Sequence, residues 1–170
     1  MERSANDASG GGEGRGGAAS WFAAAVRIEE AGINLYTRLL SLLRDGGKAQ
    51  EEIEYLLEQE NYHRAWFEGA LAAERRTGSE GRGSGSTGEA MSDAAEVSRE
   101  LERTLCGLLS GRIPQTSREA LTLGREVERE TIRFYERFLA VVPAGVKREE
   151  LHRILSEEKE HFQRLNLLLE

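Results

Sequence analysis

Two four-residue words, Glu60-Asn-Tyr-His63 and Glu158-Lys-Glu-His161, set a glutamate three residues ahead of a histidine. On an α-helix, residues three apart share a face, so each word offers a carboxylate oxygen and an imidazole nitrogen to one point. Mixed oxygen and nitrogen donors of this kind suit divalent first-row metals such as iron or manganese. One such word is a weak signal in a glutamate-rich chain. Here each comes with a further carboxylate upstream: Glu29 stands seven residues before Tyr36, and Glu128 seven residues before Tyr135. Seven residues return a helix to the same face, which places each glutamate in line with its tyrosine.

The spacings show a duplication. Glu29 and Glu128 are 99 residues apart, as are Tyr36 and Tyr135, whereas Glu60 and Glu158 are 98 apart, as are His63 and His161. A repeated helix pair accounts for this constant register. The stripes around these residues are apolar: Phe22, Ala25, Glu29, Gly32, Tyr36, Leu40 and Leu43 on the first helix, and Leu121, Gly124, Glu128, Ile132, Tyr135 and Leu139 on its repeat. The other two helices read Ile53, Leu56, Glu60, His63, Phe67 and Ala70, and Leu151, Ile154, Glu158, His161, Leu165 and Leu168. Four carboxylates and two imidazoles therefore point into one core. A buried unpaired charge costs several kcal/mol, so four acids need compensation there. Two divalent cations would balance them. Glu30, Glu126, Glu130, Glu157 and Glu160, off these stripes, are expected in solvent, as is His152, which lies on the far side of its helix.

Helices must hold these groups. Residues 1 to 19 are dense in glycine without apolar periodicity and read as a disordered tail, and residues 77 to 88 read as a flexible linker. Between them, Ser20 is placed to cap a helix to about Arg44, and a second helix spans about Ala49 to Arg76. Past the linker, Ser92 to Leu109 has the spacing of a short connecting helix, and Cys106 within it reads as a small buried apolar side chain. Ser117 is placed to cap a helix to about Val142, and the last helix runs from Lys147 to Leu168. The fold class is all-α: residues 20 to 170 form one four-helix bundle, a duplicated helix pair joined by a long crossover containing a short helix.

Composition agrees. Charged residues make up 31% and hydrophobic residues 39% of the 170, with two prolines, as amphipathic helices require. The net charge of -7 argues against nucleic acid as a partner. No apolar run reaches the roughly 20 residues that cross a bilayer, and the N-terminus is not that of a signal peptide, so the expected location is the cytoplasm, away from membranes. A single cysteine allows neither an internal disulfide nor a cysteine-ligated iron centre, so electrons must come from an external donor.

On Glu29 with Tyr36, Glu60-Asn-Tyr-His63, Glu128 with Tyr135 and Glu158-Lys-Glu-His161, the chain resembles the rubrerythrin and ferritin-like family of di-iron carboxylate proteins. The resemblance implies a ferritin-like bundle in which Glu29, Glu60, His63, Glu128, Glu158 and His161 hold two Fe ions, with Mn as the alternative metal. It implies that Tyr36 and Tyr135 hydrogen-bond the ligand carboxylates, and that the centre reacts with O2 or hydrogen peroxide; a homodimer is one assembly it allows. The chain departs from peroxide-reducing members in lacking a cysteine quartet and in having Arg125 and Thr131, not a carboxylate, three residues either side of Glu128. Two other readings stay open at this stage: an iron-handling or storage protein, and a metal-free helical adaptor.

Overall fold

In a computed structural model, residues 15–43, 47–79, 114–142 and 146–170 are described, together with positions 96, 99, 100, 103, 104 and 107. The described residues are all-helical, in four long helices: α1 (Arg15–Leu42), α2 (Lys48–Ser79), α3 (Ser117–Val141) and α4 (Val146–Leu169). Glu96, Arg99, Glu100, Arg103, Thr104 and Gly107 are helical too, and Arg137 of α3 holds Glu100 at 3.2 Å. The rest of the expected connecting helix, Cys106 included, lies outside the described residues, as do residues 1 to 14 and most of the expected linker.

Helix boundaries differ from the sequence expectation in three places. α1 starts at Arg15, so Ser20 is inside the helix and caps nothing. Ala18 and Ala19 are strong helix formers, and the buried Trp21 and Phe22 anchor the turn that follows them, which outweighs the pull of a serine toward a cap. α2 runs on through Ser79, three residues into the expected linker. The cap of α3 is Thr116, not Ser117: with extended backbone angles of -131° and 154°, its hydroxyl accepts the Glu119 N–H at 3.2 Å. Glu119 reaches back to accept the Gln115 N–H at 2.7 Å, so two N–H groups at this end are satisfied by a reciprocal arrangement.

The packing partners are α1 with α2, α3 with α4, α1 with α3, and α2 with α4. Ion pairs show how α2 and α4 run past each other: Glu52 near the start of α2 meets Arg164 near the end of α4 at 2.9 Å, and Glu74 near the end of α2 pairs with Lys147 at the start of α4. The two helices are antiparallel. Inside, aromatic rings fill one end of the bundle. Phe22 meets Phe138 edge to face at 5.0 Å, Trp21 stacks on Phe138 at 5.4 Å, and Phe67 stacks on Tyr135 at 5.3 Å. Leu39 and Leu165 meet over Gly124 toward the other end. Between these two apolar regions lie the buried polar side chains.

Candidate metal centre

Burial of a charged residue is rare without a partner, yet Glu29, Glu60, His63, Glu128, Glu158 and His161 are all buried, Glu29, His63 and Glu158 completely. Each of the four helices contributes. α1 supplies Glu29, α3 supplies Glu128, and α2 and α4 supply the Glu-x-x-His pairs, so the fold brings all six sequence-predicted residues together. Glu29, Glu60, His63 and Glu158 form one set of four whose ligand atoms lie within 4.8 Å of one another; Glu60, Glu128, Glu158 and His161 form a second. Glu60 and Glu158 belong to both.

The distances suit convergence on a cation better than mutual hydrogen bonding. Donors about 2.1 Å from a common ion stand about 3 to 4 Å apart. His63 Nδ1 is 2.8 Å from Glu158 Oε1 and 3.8 Å from Glu29 Oε2; His161 Nδ1 is 3.4 Å from Glu158 Oε2 and 3.5 Å from Glu60 Oε1. None of these contacts is aligned as a hydrogen bond: Glu29 Oε2, both oxygens of Glu158 and the Nδ1 atoms of both histidines are buried with no hydrogen-bond partner among the described residues. Buried polar atoms left in this state are costly and rare. Their lone pairs face one another across a small space, as ligands do.

Around this centre the tyrosines cross over. Tyr36 of α1 donates its hydroxyl to Glu128 Oε1 of α3, and Tyr135 of α3 donates to Glu29 Oε1 of α1. The reciprocal pair matches the duplicated spacing of Glu29 with Tyr36 and Glu128 with Tyr135. Each bond occupies one carboxylate oxygen and leaves the other facing the centre. Gly32 makes room for Glu60: a Cβ at Gly32 would meet Glu60 Oε2 at 3.3 Å and its carboxyl carbon at 3.4 Å.

Crowding separates the acids electrostatically. Burial, and then repulsion from Glu60, raises the Glu29 and Glu128 carboxyls well above the usual range. Burial pushes Glu158 up as well, but His63 and His161 on either side outweigh it and hold its carboxyl below the usual range. Burial lowers His161, yet the carboxylates of Glu158 and Glu60 beside it prevail and push it up to about 11. His63 is raised as well, its burial outweighed chiefly by Glu158. Burial, reinforced by the carboxylates they face, raises both tyrosines.

These shifts set the pH dependence of the metal-free chain. Histidines and carboxyls with raised folded pKa hold protons that the unfolded chain releases near 6.5 and 4.5; their contribution to stability is complete below those values and lost as pH rises, for His161 through about 11. Glu158 acts oppositely, stabilising above 4.5 and less as pH falls. The thermal midpoint of metal-free protein is therefore expected to peak in mildly acidic buffer and to fall from about pH 6 to about pH 9. Denaturation across a pH series in chelator checks this; a midpoint that climbs over that interval contradicts it.

Not every sequence expectation holds. Glu30, Glu160 and His152 are exposed as expected, but Glu126, Glu130 and Glu157 are partly buried. Glu126 and Glu130 are drawn down by the arginines of their own helix, Arg125, Arg129 and Arg133. Glu157 matters more: its Oε2 lies 3.0 Å from His63 Nε2, and Arg153 one turn earlier holds its other oxygen. Arg153, four residues before it, was the available signal; that Glu157 reaches across to α2 depends on how closely α2 and α4 approach, which spacing along one helix does not encode.

Comparison with protein-family models, curated proteins and solved structures finds no match for this chain. What its own geometry defines is an all-helical protein with a buried cluster of acids and imidazoles able to hold metal.

Proposed function

We propose that this chain is a ferritin-like, rubrerythrin-like di-iron carboxylate protein, an oxidoreductase acting on O2 or hydrogen peroxide in the cytoplasm. The observation that carries it is the pair of four-donor sets sharing Glu60 and Glu158 in a closed interior. Four carboxylates offset two divalent ions in charge, and the orphaned oxygens and Nδ1 atoms are the donors they would take. Glu29 and His63 would hold one ion and Glu128 and His161 the other, with Glu60 and Glu158 common to both donor sets. An iron pair bound here supplies two-electron redox chemistry; manganese is the alternative metal on the same donors.

The chain's own groups do the rest. Tyr36 and Tyr135 orient Glu128 and Glu29, so each ligand carboxylate keeps one rotamer before metal arrives. The aromatic end around Phe22, Phe67 and Phe138 keeps bulk water from the centre, which strengthens the attraction between cation and carboxylate. Electrons come from a separate donor protein or small reductant.

Anaerobic addition of ferrous iron followed by O2 or by peroxide tests the reading. Expected are uptake of two ions per chain and oxidation, seen as ferric carboxylate absorption, much faster than for iron in buffer. Oxidation at the buffer rate, or mineral growing far beyond two ions per chain, would rule it out, the latter in favour of storage.

A further inference from the structure

The duplication makes the two halves of the centre look equivalent, but the atoms behind the two imidazoles are not. A histidine that ligates through Nδ1 has its Nε2–H directed outward, and what accepts that hydrogen decides the tautomer, the ring orientation and the basicity of the ligating nitrogen. Behind His63 stands a carboxylate: Glu157 Oε2 at 3.0 Å from Nε2. Glu157 is itself fixed, with Arg153 bonded to its other oxygen and also to Glu150, at 3.1 Å through Nε. Arg153 lies over the Tyr62 ring at 5.1 Å. The chain Glu150, Arg153, Glu157, His63 thus runs from the surface to the centre.

Behind His161 nothing comparable is found. Its Nε2 is buried without a hydrogen-bond partner among the described residues. Besides the His63 ring stacked at 5.8 Å, the Tyr55 ring stands edge to face at 6.3 Å, and the charge beyond Tyr55 is the Arg164 guanidinium at 4.6 Å from that ring. The repeat differs in sequence at this place too. At 98 residues before Glu157, the spacing that relates His161 to His63, the chain has Gln59. One half of the duplication carries an anion at this position and the other a neutral amide.

We infer that Glu157 is a positioning residue for His63 that makes the two metal positions unequal, so that the position formed with Glu29 and His63 binds a divalent cation more tightly than the one formed with Glu128 and His161, and fills first. The inference rests on the two-cation reading above. Two effects act in the same direction. Accepting the Nε2–H leaves the His63 Nδ1 lone pair free and more basic, and the carboxylate adds negative charge on that side of the pair. His161, with no acceptor among the described residues, gains neither.

Anaerobic calorimetric titration of the full chain with ferrous iron alone reads both positions. Wild type is expected to bind two ions in separate steps. Glu157→Ala is expected to weaken the tighter step by about 10- to 100-fold, the usual effect of losing a hydrogen-bonding partner behind a metal ligand, and to leave the weaker step in place. Glu160→Gln, an exposed change three residues on, should alter neither. A merely structural role for Glu157 would instead weaken both steps together. Equal steps in wild type, an unaltered tighter step in Glu157→Ala, or parallel loss of both overturns the inference while leaving two-ion binding standing. A wild-type chain that takes up no iron overturns the two-cation reading and the inference with it.

Discussion

Glu60→Ala and Glu158→Ala are each expected to abolish stoichiometric binding of both cations, whereas His161→Ala should remove one position and His152→Ala none. Glu60 and Glu158 belong to both donor sets, so deleting either would take an oxygen from both positions at once. The loss should exceed the about 100-fold that follows removal of a partner behind a ligand, because an atom in contact with the metal disappears. His161 serves only the set with Glu128, and His152 is exposed on the other side of α4. Stability should follow binding: metal at 100 times its Kd stabilises the wild type by about 2.7 kcal/mol, and that increment should vanish in the two shared-glutamate variants. Metal analysis after gel filtration, with thermal denaturation in parallel, measures both. Equal loss in the Glu60, His161 and His152 variants would contradict the assignment, since it would mean that metal adheres to the acidic surface.

Glu29→Gln and Glu128→Gln should have effects of opposite sign on metal binding and on metal-free stability. In the absence of metal both carboxyls are held above their ordinary range by burial and by Glu60. The folded chain therefore holds these protons more tightly than the unfolded chain, and the stability this contributes is lost as pH rises above about 4.5. An amide needs no proton, and its carbonyl oxygen can accept the same hydrogen bond, from Tyr135 at position 29 or Tyr36 at position 128. The double variant should be more stable than wild type in chelator at neutral pH, with the difference widening as pH rises. Its metal affinity should fall, because each ion loses an anionic ligand. Chemical denaturation in chelator and metal titration of the same preparations check the two signs. Loss of stability in the metal-free double variant would mean that Glu29 and Glu128 do not crowd the centre as charges. A site whose function requires unfavourable burial shows this trade between stability and activity.

The six inward residues could be read from the chain because periodicity and duplication are properties of sequence. The pairing of Glu60 with His63 needs only a helix, and the 98- and 99-residue offsets need only counting. Packing of the tyrosines against carboxylates followed from the resemblance, and the structure gives it a crossed form in which Tyr36 serves Glu128 and Tyr135 serves Glu29. Glu157 was not legible in that way. Its helix position faces partly outward, and only the approach of α4 to α2 turns it toward His63. Helix ends were legible to within a few residues, where local signals compete: Ser20 has a good capping side chain, but the alanines before it extend α1, and Thr116 takes the cap expected of Ser117 because its backbone is the extended one.

Crystals grown with manganese or ferrous iron, and measured at the metal's absorption edge, locate cations without reference to any residue assignment. Two anomalous peaks are expected inside the bundle, one near Nδ1 of His63 and one near Nδ1 of His161, with Glu60 and Glu158 contacting both. A single peak, or peaks confined to acids on the outer faces of the helices, would contradict the paired centre on which the proposed chemistry depends.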